Sequence, residues 1–156
     1  MSAALELAKQ SAAEGEVPVG AVIVRNGQIV STGRNRRESD KNATVHAELQ
    51  AIDRACAALG GWRLRECDLY VTMEPCPMCA GAIINSRIRR VVFGAYDSKA
   101  GSCGSVINLF DLPYNHKPEL TGGYMENECS CVLTEFFRNL RESKKKQQKT
   151  DASASV

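Results

Sequence analysis

The sequence predicts an α/β domain built on a single mixed sheet of about five strands, sandwiched by helices. Two patterns carry this expectation. Near the start, two strand-like runs are joined by Asn26-Gly27, a pair that permits the tight turn of an antiparallel hairpin. Beyond them helical and strand patterns alternate, the order that builds parallel strands under covering helices. The chain has 156 residues, no internal repeat and no dividing linker, enough for one ordinary buried core.

Each element has a local cause. Leu5, Leu7, Ala8 and Ala12 mark an Ala-rich opening helix that stops near Gly15. Val17 to Arg25 is almost wholly apolar and rich in β-branched residues, which places it inside the sheet. Its hairpin partner runs from about Gln28 to Gly33, and a polar, arginine-bearing loop follows from Arg34 to Asn42. Thr44 or a neighbour caps the next helix, which carries Glu48, Leu49, Ile52, Ala55 and Leu59 and ends at Gly60-Gly61. Asp68 to Thr72 is a short strand. Cys76 to Arg87 is helical, with Pro75 and Pro77 tolerable at the first turn. Arg90 to Gly94 is a further strand, and Asp97 to Leu120 reads as loop with one short helix at most. The last helix spans roughly Asn127 to Ser143. The domain is thus expected over residues 1–143, with a basic, disordered tail over 144–156. Trp62 reads as a packing residue and Asn115-His116 as a turn.

Hydrophobic residues make up 44% and charged residues 24%, as in soluble globular proteins. No apolar run is long enough to span a bilayer and no secretory pattern opens the chain, so a cytoplasmic location without membrane contact is expected. In that compartment the seven cysteines are expected to be reduced. Residues 136–149 hold six basic side chains against Glu142 alone. That segment carries +5 of a chain total of +2, which leaves the remainder at −3. A basic stripe on a mildly acidic body fits a polyanion, and equally a solvated helix end.

The chemistry concentrates in His46-Ala47-Glu48 and Pro75-Cys76-Pro77-Met78-Cys79. One imidazole and two thiolates suit a zinc ion that keeps a fourth position open. Cys76 and Cys79, three apart at a helix start, share one side, and the helix N-terminus favours their thiolate form. Two thiolates and a neutral imidazole balance the charge of the ion. Glu48, on the same turn as His46, is then free to carry protons.

The two motifs, in this order and with proline before the first cysteine, resemble the signature of the zinc-dependent nucleoside and nucleobase deaminases. Within that superfamily, residues 3–142 resemble the bacterial tRNA-specific adenosine deaminases. The resemblance rests on Gly15-Glu16-Val17-Pro18-Val19-Gly20-Ala21, on Leu69 to Cys76, on Met78-Cys79-Ala80-Gly81-Ala82-Ile83, on Ser86-Arg87-Ile88, on Val91 to Ala95 and on Phe136-Phe137-Arg138. It implies a cytidine-deaminase-like fold, a homodimer with one Zn2+ per subunit, and a tRNA anticodon stem-loop as partner. The implied reaction converts the wobble adenosine to inosine by attack of zinc-activated hydroxide on C6. By the same resemblance His46, Cys76 and Cys79 hold the metal and Glu48 is the proton shuttle. Asn35, Ala47 and Asp97 would contact the flipped nucleotide, while Phe137 and Arg141 of the last helix would face the RNA. Asn42-Ala43 stands where the family often has Asp-Pro, and Val45 replaces a common alanine.

From the residues themselves, Asn35 is a turn residue, Asp97 a capping acid, and one of Phe136 and Phe137 a core anchor. Two other functions are compatible with the motifs. One is a deaminase of free guanine or of a small nucleoside such as cytidine. The other is a binding module around structural zinc, with a fourth ligand from His116, Cys103, Cys129 or Glu48.

Overall fold

The structure, a computed structural model, describes residues 1–153. Its strands are β1 (Gly20–Arg25), β2 (Gln28–Arg34), β3 (Cys67–Met73), β4 (Arg90–Ala95) and β5 (Glu119–Thr121). They form one sheet in the order β2-β1-β3-β4-β5. β1 pairs antiparallel with β2 and β3, whereas β3–β4 and β4–β5 are parallel, so the sheet is mixed as expected. At the hairpin both turn residues take positive φ, Asn26 at 51° and Gly27 at 76°, which matches the strand twist.

Helices α2 (Ala47–Leu59) and α3 (Pro77–Ser86) cover one face, and α1 (Ser2–Ala13) and α4 (Glu126–Ser153) cover the other. Alternation along the strands supplies the first face with Ala21, Ile23, Leu69, Val71, Val91 and Phe93, packed on Ala51, Ala55, Ala80 and Ile83. The second face is smaller, with Leu5, Ala95, Cys129 and Leu133. Gly33 fixes how closely α2 approaches: a Cβ there would overlap the carbonyl oxygen of Ala47. The first turn of α2, and with it His46, therefore rests directly on β2.

Several boundaries differ from the sequence reading. β1 begins at Gly20 rather than Val17, because Pro18 has no N–H and the Val19 N–H turns back to the Val17 carbonyl. His46, not Thr44, stands at the N-cap of α2, while the Thr44 hydroxyl bonds Asn42 Oδ1. The stretch read as loop and one short helix contains a 3₁₀ turn (Leu109–Asp111) and also β5, a three-residue edge strand. α4 continues past Ser143 to Ser153, through Lys- and Gln-rich sequence of good helix propensity. The remaining tail positions, 154–156, lie outside the described residues. Trp62 is 51% exposed rather than packed, with the Arg63 guanidinium stacked 4.0 Å from its ring centre. All seven cysteines are free, and no helix among the described residues is long and apolar enough to cross a membrane.

Candidate metal centre and active site

The site forms where β3 ends and α2 and α3 begin. His46 is the N-cap of α2 and Cys76 the N-cap of α3, both in extended conformation. Pro77 occupies the first helical position, where its missing N–H costs nothing, and Cys79 follows in the first turn, fully buried. Two helix N-termini thus converge and turn their partial positive charge toward the sulfurs.

His46 Nδ1 lies 3.7 Å from Cys76 Sγ and 3.6 Å from Cys79 Sγ. A tetrahedral ion with Zn–S near 2.3 Å and Zn–N near 2.0 Å requires an S···N separation of about 3.5 Å. The donors fit. Among the described residues these three form the one His/Cys/Asp/Glu group close enough to share a metal ion. His116, Cys103 and Cys129, the sequence candidates for a fourth ligand, do not join it. The His116 Nε2 contacts the Ile88 carbonyl at 2.7 Å, and Cys103 and Cys129 are buried thiols whose pKa values burial pushes up.

The electrostatics of the three donors are those of a shared proton. Cys76 is held down to about 4, chiefly by the hydrogen bond from Cys79, and the facing His46 imidazole adds to the effect. Cys79 is pushed far up because it donates to Cys76 and is buried. His46 is raised mainly by its hydrogen bond to Cys76. Ligands of zinc must be deprotonated, so loading the site releases the Cys79 proton.

Glu48 is 4% exposed, on the first turn of α2 beside this group. Burial pushes its pKa up to about 7, and the Cys76 thiolate adds to that while His46 opposes it. A carboxyl poised near neutrality can take up and return a proton under physiological conditions.

A cavity of about 220 Å³ opens onto the site, lined by Asn35, Arg37, His46, Ala47, Glu48, Glu74, Cys76 and Asp97 among others. Asn35, Ala47 and Asp97 of the sequence expectation therefore share one wall system with Glu48 and two metal donors. Asn35 is buried directly after β2 and not in a turn, contrary to the reading from its neighbours: its amide donates to the Val17 carbonyl at 3.2 Å and its N–H to the Val19 carbonyl at 3.0 Å. Phe137 and Arg141 do not reach the cavity. They line a separate shallow depression with Lys99, Leu133 and Thr134. Val17, Val19, Arg37, Met73, Glu74 and Ala100 complete the cavity; none was assigned to the site from sequence, although Val17, Val19, Met73 and Glu74 lie in the motifs that carry the resemblance. Arg37 lies in the arginine-bearing loop and Glu74 directly precedes Pro75, the two local signals available.

Comparison with known proteins extends this geometry. The family model for the cytidine and deoxycytidylate deaminase zinc-binding region matches residues 1–95. The chain is 49% identical over 150 residues to a tRNA-specific adenosine deaminase of Bacillus subtilis (strain 168), covering 96% of this chain and 93% of that protein. A solved structure from a study of A-to-I editing by tRNA:A34 deaminases at the wobble position superposes with TM-score 0.83. Its identity is 42%, and the match covers 85% of this chain and 97% of that one. A guanine deaminase structure from Bacillus subtilis is more distant, with TM-score 0.61 and 33% identity over 88% of this chain and 90% of that one.

Proposed function

The chain belongs to the cytidine and deoxycytidylate deaminase family with its zinc-binding region, and on that premise we propose that it hydrolyses adenosine to inosine at the wobble position of a transfer RNA. It is a zinc-dependent deaminase in which His46, Cys76 and Cys79 would hold one ion. The observation that carries the catalytic reading is that the donor atoms of His46, Cys76 and Cys79 lie within 4.8 Å of one another and the buried Glu48 is not in that group, which leaves it for proton transfer.

When bound, zinc supplies a Lewis acid that lowers the pKa of water to about 7. Glu48 accepts a proton from the attacking water and delivers it to the purine ring nitrogen beside C6. The water oxygen bonds to C6, and the tetrahedral carbon then expels its amino group, which takes the proton of the new C6 hydroxyl and leaves as ammonia while C6 becomes a carbonyl. The net change is adenosine plus water to inosine plus ammonia. Asn35, Ala47 and Asp97 hold the base in the cavity, whose volume of about 220 Å³ suits a single base taken out of its stack.

RNA binding is supported by α4. Phe136, Leu140 and Lys144 line a groove together with Val17, Asn35 and Arg37, which also border the cavity. The depression at Phe137 and Arg141 contains Lys99, two residues from Asp97. Aromatic and cationic side chains at the cavity mouth suit unstacked bases and phosphates of a loop. Beyond residues 1–143, Lys144, Lys145 and Lys146 on α4 add basic charge next to this groove.

A homodimer, in the cytoplasm, completes the reading. Met78, Val106, Ile107 and Leu112 are exposed apolar residues on α3 and on the segment packed against it, a surface suited to a second copy. Sedimentation at micromolar concentration giving the mass of one chain would remove the dimer.

The substrate assignment is tested by nucleoside analysis. Transfer RNA, free guanine and cytidine are each incubated with the zinc-loaded protein. Inosine appearing in the RNA alone is the expected result, whereas turnover of guanine or cytidine with unmodified RNA transfers the site to the small-molecule deaminases.

A further inference from the structure

Glu74 has no part in the proton path, yet it organises one wall of the cavity. It closes β3, where its N–H bonds the Ala95 carbonyl at 2.8 Å, and it is 3% exposed. Its Oε1 accepts the backbone N–H groups of Cys103 and Ser105, both at 3.0 Å. Its Oε2 accepts the Asp97 N–H at 3.0 Å and the Ser105 hydroxyl. Gly101 packs onto the carboxyl so closely that a Cβ there would overlap it, and the Ser102 N–H bonds the Pro75 carbonyl at 2.9 Å. Residues 97–105 are therefore wound around a single carboxylate. No basic side chain among the described residues forms an ion pair with it.

A buried carboxylate without a counter-ion is tolerated only where hydrogen bonds satisfy its oxygens, as they do here. A carboxylate is an acceptor at both oxygens, which is what three converging N–H groups and a hydroxyl require. Two residues of the wound segment, Asp97 and Ala100, line the cavity, and Glu74 lies two positions before the metal donor Cys76. We propose that Glu74 is a positioning residue for the substrate, fixing Asp97 and Ala100 against the bound nucleotide and tying that wall to the Pro75-Cys76 turn. This inference rests on the adenosine deaminase reading above.

Glu74→Gln keeps the shape and changes one hydrogen bond in a defined way. With its amide oxygen at the Oε1 position it still accepts from Cys103 and Ser105. Its NH2 then donates to the Ser105 hydroxyl, and the Asp97 N–H loses its acceptor. The expected results are one zinc per chain as in the wild type, and faster amide exchange at Asp97 with β3 and α3 unchanged. On transfer RNA, kcat/KM falls about 10²-fold, the usual consequence of misplacing a bound substrate. In an Asp97→Asn background the same substitution costs only a few-fold, since both act through one contact. Loss of zinc, unchanged exchange at Asp97, or the same full loss in both backgrounds would overturn the proposal. Glu74→Asp, which keeps the charge but shortens the side chain by one methylene and draws the carboxylate away from the Asp97 N–H, carries the same exchange and cycle tests if Glu74→Gln does not fold. Exchange at Asp97 needs no turnover, so a wild-type protein inactive on RNA counts against the adenosine reading and leaves the Glu74 test standing.

Discussion

At the scale of single residues, the site separates groups by what surrounds them. Cys76, exposed to two helix N-termini, Cys79 and His46, is the thiolate, while burial holds the pKa of Glu48, at the cavity wall, up at about 7. The ligand set was legible in the sequence because metal spacing is a local property: Cys76 and Cys79 share a turn, and His46 and Glu48 share another. Glu74 and Glu16 were not, because each works through partners more than twenty positions away. Glu16 is fully buried, with its carboxylate accepting the N–H groups of Ser39 at 2.7 Å and Glu38 at 3.2 Å. Burial raises its pKa, but these hydrogen bonds outweigh it and the net shift is downward. With the folded pKa below the unfolded one, the stabilisation is complete above about pH 4.3 and fades as pH falls through the depressed value. Glu16→Gln should therefore cost about 1–3 kcal/mol at pH 7. In urea unfolding, its gap to the wild type should narrow below pH ~4, and a gap independent of pH would contradict the ionised role.

At the scale of elements, the strands with strong pattern and clear turns were readable, and the exceptions have physical causes. β5 has three residues, Glu119, Leu120 and Thr121, too few to show alternation, and it exists through its pairing with β4. The end of α4 was misjudged because low hydrophobicity argued for disorder while Lys and Gln favour helix. The placement of α2 depends on Gly33, whose role in close packing the sequence could not reveal. Gly33→Ala should push the first turn of α2 away from β2 and displace His46. Overpacking of this kind costs about 1–3 kcal/mol. Thermal melts and zinc titration should show both lower stability and weaker metal binding, and a variant with unchanged zinc affinity would show that the Ala47 contact does not set the ligand geometry.

At the scale of the whole molecule, the charge asymmetry seen in the sequence lies along α4, whose Lys144 lines the groove beside the cavity. The sequence showed this charge but not its position, since Phe137 and Arg141 lie outside the cavity and Phe136 and Leu140 face the groove beside it. Deleting residues 144–156 removes four lysines, and each phosphate no longer neutralised lowers the salt slope by about 0.7–0.9. Weaker transfer RNA binding with a shallower salt dependence is expected, with zinc content unaltered; equal affinity at several salt concentrations would exclude the tail from binding. The central claim is that metal and proton transfer are divided between two sets of residues. Its most direct measurement is zinc content beside inosine formation in Glu48→Gln. One zinc per chain with activity lowered by about 10²–10⁴-fold is the predicted result. Loss of the metal, or activity within a few-fold of the wild type, would contradict it.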